Sequence, residues 1–193
     1  MKGVEICTSV NGSDLSDEKY NIFFSEAEKL GILIFMHPSG FSNGDRLSDH
    51  YFSNVIGNPL DSTIAISHLI FGGVLDKYPK LKICVAHGGG YLPSYSGRID
   101  HAHNARSDCR RCIEKEPTTY LKKLYFDTVV FTKHQLEYLI NLYGSDHLLL
   151  GTDYPYDMGM YTPVDFINSI ESLSKEEKKM IIGGNAAKLL NLL

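Results

Sequence analysis

The sequence contains no apolar run long enough to cross a bilayer. Its longest, Leu30 to Met36, falls far short of the roughly 20 residues that a membrane-spanning helix needs. It has no excess of positive charge either. With 19 Lys and Arg against 23 Asp and Glu, a net charge of -4 and a pI near 6.0, it offers no general cationic field to a phosphate backbone or an anionic lipid surface. No local basic patch stands out, so neither nucleic acid nor membrane is expected as a partner. Cysteine is scarce: Cys7, Cys84, Cys109 and Cys112 are the only four, and two of them sit in apolar, strand-like runs where a thiol behaves as a small hydrophobe. A disulfide framework is not expected at this length and spacing. Repeats, linkers and low-complexity tracts are also missing, and Met1-Lys2-Gly3-Val4-Glu5 does not open a signal peptide, so a cytoplasmic protein is expected.

What remains is an ordinary globular composition, 43% hydrophobic and 22% charged, in 193 residues. Strand-like and helical runs alternate along it. Val4 to Val10 is β-branched and closed by Asn11-Gly12. A helix capped by Ser16 or Asp17 should then carry Ile22, Phe23, Ala27 and Leu30 at helical spacing until Gly31. Ile32 to Met36 reads as a second strand, continuously apolar as suits a parallel sheet covered on both faces. A polar loop from Pro38 to Asn58 precedes an apolar helix from Asp61 to Leu75, which Tyr78-Pro79 ends. Further strands are expected at Leu81 to Ala86, Leu124 to Phe126 and His147 to Leu150. Helices are expected through Arg98 and Ala102, from Gln135 to Tyr143, and in three pieces after Pro163; Ser174 and Glu177 form a capping box for the second of these. Five strands alternating with helices indicate an α/β domain with a parallel sheet. That sheet is either open and doubly wound or part of an eightfold barrel, which needs about 250 residues and would be incomplete here.

Three titratable residues each follow a buried strand directly: His37, His87 and Asp153. This is the carboxyl edge, where α/β sheets and barrels place their sites. Two imidazoles and a carboxylate are also a ligand set that zinc and similar divalent ions accept. Taken singly, each has a plainer explanation, since a histidine can bond a backbone carbonyl and an aspartate before Tyr-Pro can cap a turn. Their coincidence on one edge is what points to a site.

The segments His37-Pro38, Ala86-His87-Gly88-Gly89-Gly90, Tyr125-Phe126-Asp127-Thr128, Gly151-Thr152-Asp153-Tyr154-Pro155 and Gly184-Asn185-Ala186-Ala187-Lys188-Leu189-Leu190 stand in an order and spacing that resembles the amidohydrolase-related (amidohydrolase 2) family of metal-dependent decarboxylases. The resemblance implies a TIM-type (βα)8 barrel of the metal-dependent hydrolase superfamily, with zinc, or alternatively manganese, at its carboxyl mouth. It implies His37 and Asp153 as metal ligands and His87 and Asp153 as the catalytic residues, with His87 the acid/base. Arg98 matches an arginine that crosses a homodimer interface to hold a substrate carboxylate. The family's first strand carries a His-x-His pair, and no such strand precedes Val4. The expected architecture is therefore the last five strand-helix units, residues 1-193 forming a single partial barrel domain without the amino-terminal strands. His101-Ala102-His103 does not replace that pair, because residues two apart on a helix point to different faces. Phe131 stands where many relatives carry a histidine.

Other features keep open readings. Asp127 can orient a histidine or cap a turn. Cys109-Arg110-Arg111-Cys112 can be incidental thiols, a zinc knuckle with His101 and His103, or a redox pair. Asp45, Arg46 and Asp49 can face the mouth or only the solvent. The expected function is a metal-dependent decarboxylase of a small carboxylated or aromatic-derived acid. The alternatives are a metal-dependent hydrolase and a catalytically incomplete barrel fragment. Its partner is expected to be a second copy or a complementing amino-terminal chain, since open sheet edges need cover.

Overall fold

The computed structural model of the protein describes residues 1–41 and 44–192. Ser42 and Asn43, in the expected polar loop, lie outside the described residues. The first strand, β1 (Gly3–Ile6), is shorter than the Val4 to Val10 run suggested. Asn11 and Gly12 both adopt positive φ, the conformation of a two-residue hairpin turn, and fold Ser9–Val10 (β2) back on Ser13–Asp14 (β3), away from the main sheet. That hairpin is tied down along a later helix, Asn58–Phe71. The Thr8 hydroxyl donates to Asp61, and His68 meets Asp14 Oδ2 at 3.3 Å and Ser16 Oγ at 3.4 Å, with Leu15 buried.

The first long helix, α1 (Asn21–Leu30), ends at Gly31 as expected and turns part of the expected face inward. Ala27 is buried and Phe23 packs against the core as expected, but Phe24 is buried more deeply, while Ile22 is 80% and Leu30 62% exposed, so the two ends of the expected stripe lie outside the core. Asp17 caps the short 3-10 turn before α1 rather than α1 itself. After β4 (Leu33–Met36), a π-turn over Ser53–Gly57 runs straight into α2 (Asn58–Phe71), so helix begins inside the segment expected to be loop. The helix expected to reach Leu75 breaks at Gly72-Gly73 before α3 (Val74–Lys77). A Cβ on Gly73 would sit 2.7 Å from the Cys112 carbonyl oxygen, and only glycine permits that approach at φ 76°. The chain continues through β5 (Lys82–Val85), α4 (Ser96–Ala105), α5 (Pro117–Leu121), β6 (Tyr125–Asp127), α6 (Lys133–Tyr143), β7 (Leu148–Leu149), α7 (Pro163–Asn168), α8 (Lys175–Lys179) and α9 (Asn185–Leu189). Ser174 and Glu177 form the expected capping box on α8. Among the described residues, no helix is long and apolar enough to cross a membrane.

Five strands form one sheet in the order β1-β4-β5-β6-β7, every neighbouring pair parallel. A doubly wound sheet would reverse its strand order at a switch point. Strictly sequential order instead identifies consecutive strand-helix units of a barrel. Side chains alternate between the two faces. Ile34, Met36, Ile83, Val85, Phe126 and Leu148 point toward the helices and form the main core. Leu33, Phe35, Cys84, Tyr125 and Leu149 occupy the opposite face, where Ala186 and Leu189 of α9 cover them. Lys82 and Lys2 donate from their ammonium groups to the carbonyls of Leu189 and Asn191, fixing the end of α9 where cations suit a helix carboxyl terminus.

Candidate metal centre and its cavities

The register places Ile6, Met36, Val85, Phe126 and Leu148 in one row across the sheet, so the segments that follow them emerge side by side. His37 extends the ladder one step past β4, its amide donating to the Ile6 carbonyl at 3.0 Å. His87 opens a tight turn in which His87, Gly88, Gly89 and Gly90 all have positive φ. Gly88 is indispensable to it, because a Cβ there would lie 2.4 Å from Val130 Cγ1. Asp153 also has positive φ, 57°, and sits in a loop closed by the Met160 amide on the Thr152 carbonyl and the Tyr156 amide on the Asp153 carbonyl. Two of the three residues therefore occupy backbone conformations that side chains rarely adopt, as is common where a fold places chemistry.

The three side chains converge. His37 Nε2 lies 3.6 Å from Asp153 Oδ1, His87 Nε2 lies 4.0 Å from the same oxygen, and the two imidazole rings meet edge to face at 5.0 Å. One donor atom from each falls within 4.8 Å of the others, and this is the only such group among the described residues. His87 Nδ1 is buried and has no hydrogen-bond partner, which leaves Nε2 as the nitrogen turned toward the cluster.

Asp127 supports the His87 turn from beneath. Its Oδ1 accepts from the Gly88 amide at 2.9 Å and the Val129 amide at 3.1 Å, so the residue caps its own turn and holds the neighbouring one. Burial pushes its carboxyl above the usual carboxylate range, while the charge of His87 and the backbone amides pull it the other way.

Two cavities open on the cluster. The smaller, about 350 Å³, is lined by His37, His87, Asp127 and Asp153, with Glu5 and Phe35 from the inner sheet face. The larger, about 690 Å³, runs from His87 and Asp153 toward α6, with Val55, Tyr91, Phe131 and Met158 among its walls. Phe131 thus does face the site. Arg98 is on the exposed side of α4 and lines neither cavity. The same holds for Asp45, Arg46 and Asp49. His101 is exposed and His103 buried, and Cys109 and Cys112 join no metal-ligating group among the described residues. Residues missed from sequence are Asn54, Val55, Tyr91, Tyr138 and Met158, which line the larger cavity from loops and a helix flank with no motif to announce them.

The amidohydrolase family profile matches residues 1–192. The chain is 39% identical over 193 residues to 2-amino-3-carboxymuconate-6-semialdehyde decarboxylase of Dictyostelium discoideum, an alignment that covers all of this chain and 54% of that protein. It thus spans about half the length of this relative. Among solved structures it is similar to 5-carboxyvanillate decarboxylase from Sphingomonas paucimobilis, with a TM-score of 0.90 and 24% identity over 99% of this chain and 58% of the other. It is also similar to a dihydroxybenzoic acid decarboxylase from Polaromonas sp. crystallised with bound manganese, with a TM-score of 0.83 and 24% identity over 93% and 56% of the two chains. These likenesses agree with the partial barrel read from the strand order. With the profile matched along almost its whole length, the chain belongs to the amidohydrolase family.

Proposed function

We propose that this chain carries the metal centre and the acid–base histidine of a divalent-metal-dependent decarboxylase acting on a small aromatic or otherwise unsaturated carboxylic acid. The observation that carries the reading is the convergence of His37, His87 and Asp153 at the carboxyl edge. Ligand atoms sharing a zinc-sized ion at about 2.1 Å stand about 3.4 Å apart. The 3.6 Å between His37 Nε2 and Asp153 Oδ1 suits such a pair, and the wider 4.0 Å to His87 suits a group that works beside the ion rather than on it. His37 and Asp153 would hold zinc or manganese together with ligands from water or from a covering chain, and the ion would supply positive charge against the negative charge that develops on the substrate's oxygens.

The rest is the work of the chain. His87, as general acid, gives a proton from Nε2 to the carbon that bears the carboxylate. The C–C bond to the carboxylate then breaks, its electron pair stays with the unsaturated system, carbon dioxide leaves, and hydrogen remains in its place. The glycines after His87 and the Asp127 carboxylate hold that imidazole in position. The larger cavity, apolar along Val55, Tyr91, Phe131 and Met158, receives a planar substrate. Arg98 serves a neighbouring subunit, since a guanidinium fork exposed on α4 is suited to a carboxylate it cannot reach in its own chain. Residues 1–193 act as one partial barrel whose edge strands, β1 and β7, are covered by a second copy or a complementing chain.

Metal content per chain tests the centre. About one zinc or manganese per wild-type chain, lost in Asp153→Asn and in His37→Ala, is the expected result by plasma mass spectrometry. A metal-free wild type after growth in supplemented medium, or metal retained by both variants, refutes the assignment.

A further inference from the structure

The two loops that face each other across the larger cavity are joined, among the described residues, by one hydrogen bond: the Tyr51 hydroxyl donates to Asp157 Oδ1 at 3.1 Å. One loop runs from His37 to α2 and supplies Asn54 and Val55 to the cavity wall; the other runs from Asp153 to α7 and supplies Met158. We propose that the Tyr51–Asp157 bond is a latch that couples these loops and makes Tyr51 a positioning residue for the wall against which the substrate lies. The identity of that substrate rests on the decarboxylase reading; the latch itself does not.

Both ends of the bond are built. His50 and Tyr51 are consecutive non-glycine residues at φ 54° and 62°, a strained pair that persists only where the surroundings hold it. The Tyr51 carbonyl accepts from the amides of both Asn54 and Val55, so this residue starts the turn that becomes α2, and the Asn54 amide group reaches the Tyr51 hydroxyl at 3.5 Å. Across the gap, Asp157 stands inside the turn closed by the Gly159 amide on the Tyr156 carbonyl and the Met160 amide on the Thr152 carbonyl. A Cβ on Gly159 would meet the carbonyl oxygens of Tyr156, Asp153 and Thr152 at 2.9 to 3.2 Å, so that turn is packed tightly on itself. Asp157 also holds the Tyr51 phenol above its ordinary range, as a hydrogen bond to a carboxylate does. Movement at either end is therefore passed to the other, from the segment after His37 to the segment after Asp153.

Hydrogen exchange read by mass spectrometry tests the coupling without requiring turnover. Tyr51→Phe and Asp157→Ala should each speed exchange about two- to tenfold in residues 50–57 and in 154–160 together, the range expected for one net hydrogen bond. The double variant should go no further than either single one, and Asp157→Asn, which keeps an acceptor oxygen, should stay near wild type. Acceleration confined to the substituted loop, effects that multiply in the double variant, or an Asp157→Asn that behaves like the alanine variant would overturn the latch. If the chain decarboxylates its acid, Tyr51→Phe should raise KM several-fold at little changed kcat. Unaltered exchange in the distant loop counts against the latch, whereas inactivity of the wild type counts only against the proposed reaction.

Discussion

Removal of the Asp127 carboxylate should be costly out of proportion to its size. The side chain is 5% exposed, and its Oδ1 is the acceptor for two backbone amides, those of Gly88 and Val129. Alanine orphans both donors in a buried place. At about 1–3 kcal/mol for each unsatisfied group, the loss should come to about 2–6 kcal/mol. Asparagine keeps a carbonyl oxygen for the two amides and should cost within about 1 kcal/mol at neutral pH. The pH dependence has a definite sign. Burial raises the folded carboxyl above its unfolded value near 3.8, so between the two the native state binds more protons than the unfolded chain. Wild-type stability from this group is present below that window and declines as pH rises through it. Asparagine has no such ionisation, so its stability relative to wild type should improve as pH rises from about 4. Urea unfolding of the metal-free proteins, followed by circular dichroism and by the 12 tyrosines in this tryptophan-free chain, reads both effects. An alanine variant within about 0.5 kcal/mol of the asparagine one, or an asparagine advantage that shrinks with rising pH, refutes this account of Asp127.

Two further effects follow from glycine and histidine sites. Gly88→Ala should destabilise by about 2–4 kcal/mol, since φ is 60° and the new carbon would press on Val130 and Leu139; Gly97→Ala, in α4 with open space around it, should stabilise by about 0.5–1 kcal/mol. In thermal midpoints, a rise for Gly88→Ala would refute the first and a fall for Gly97→Ala the second. His103 is buried and neither ring nitrogen has a partner, so His103→Leu should match or exceed wild-type stability by up to about 1 kcal/mol, and a clear loss in urea midpoint would point to a partner for that ring.

The centre of the fold was legible because it rests on patterns that repeat. Ile32 to Met36, Leu81 to Ala86 and Leu124 to Phe126 are short apolar runs, each followed by a histidine or an acidic residue within three positions, and a parallel sheet in sequential order aligns the ends of such runs. Ser174 and Glu177 were equally readable, since a capping box depends only on residues three apart. Failures occurred where a local signal competed with a tertiary one. Val10 has a strand-former's side chain, yet Asn11-Gly12 turned it into a hairpin; Ile22 has helical spacing, yet the core is centred on Phe24 and Ala27 and leaves Ile22 at the solvent edge of α1. The start of α2 was hidden for the opposite reason, since Ser53 to Gly57 combines Ser, Asn and Gly with two β-branched residues, a poor helix signal, but is wound by the helix that follows it.

The site divides along the same line. His37 and His87 directly follow strands and are set by register, which a shift of one residue would reverse for every side chain on the strand, while Asp153 is carried to them by the short loop that follows β7. Tyr51, Asp157, Tyr91 and Met158 meet because loops fold over the sheet edge, and nothing in their spacing along the chain encodes the meeting. Asp127 stands between the two cases. Its place at the end of β6 follows from register, but its role depends on which amides come within reach, and the Gly88 amide does so only because three glycines let the His87 turn close. The convergence of candidate ligands can therefore be read from strand ends in such a sheet, whereas the walls of the larger cavity belong to the loops. Substitutions at Tyr51 and Asp157 should accordingly alter how an acid is held without altering how much metal the chain binds.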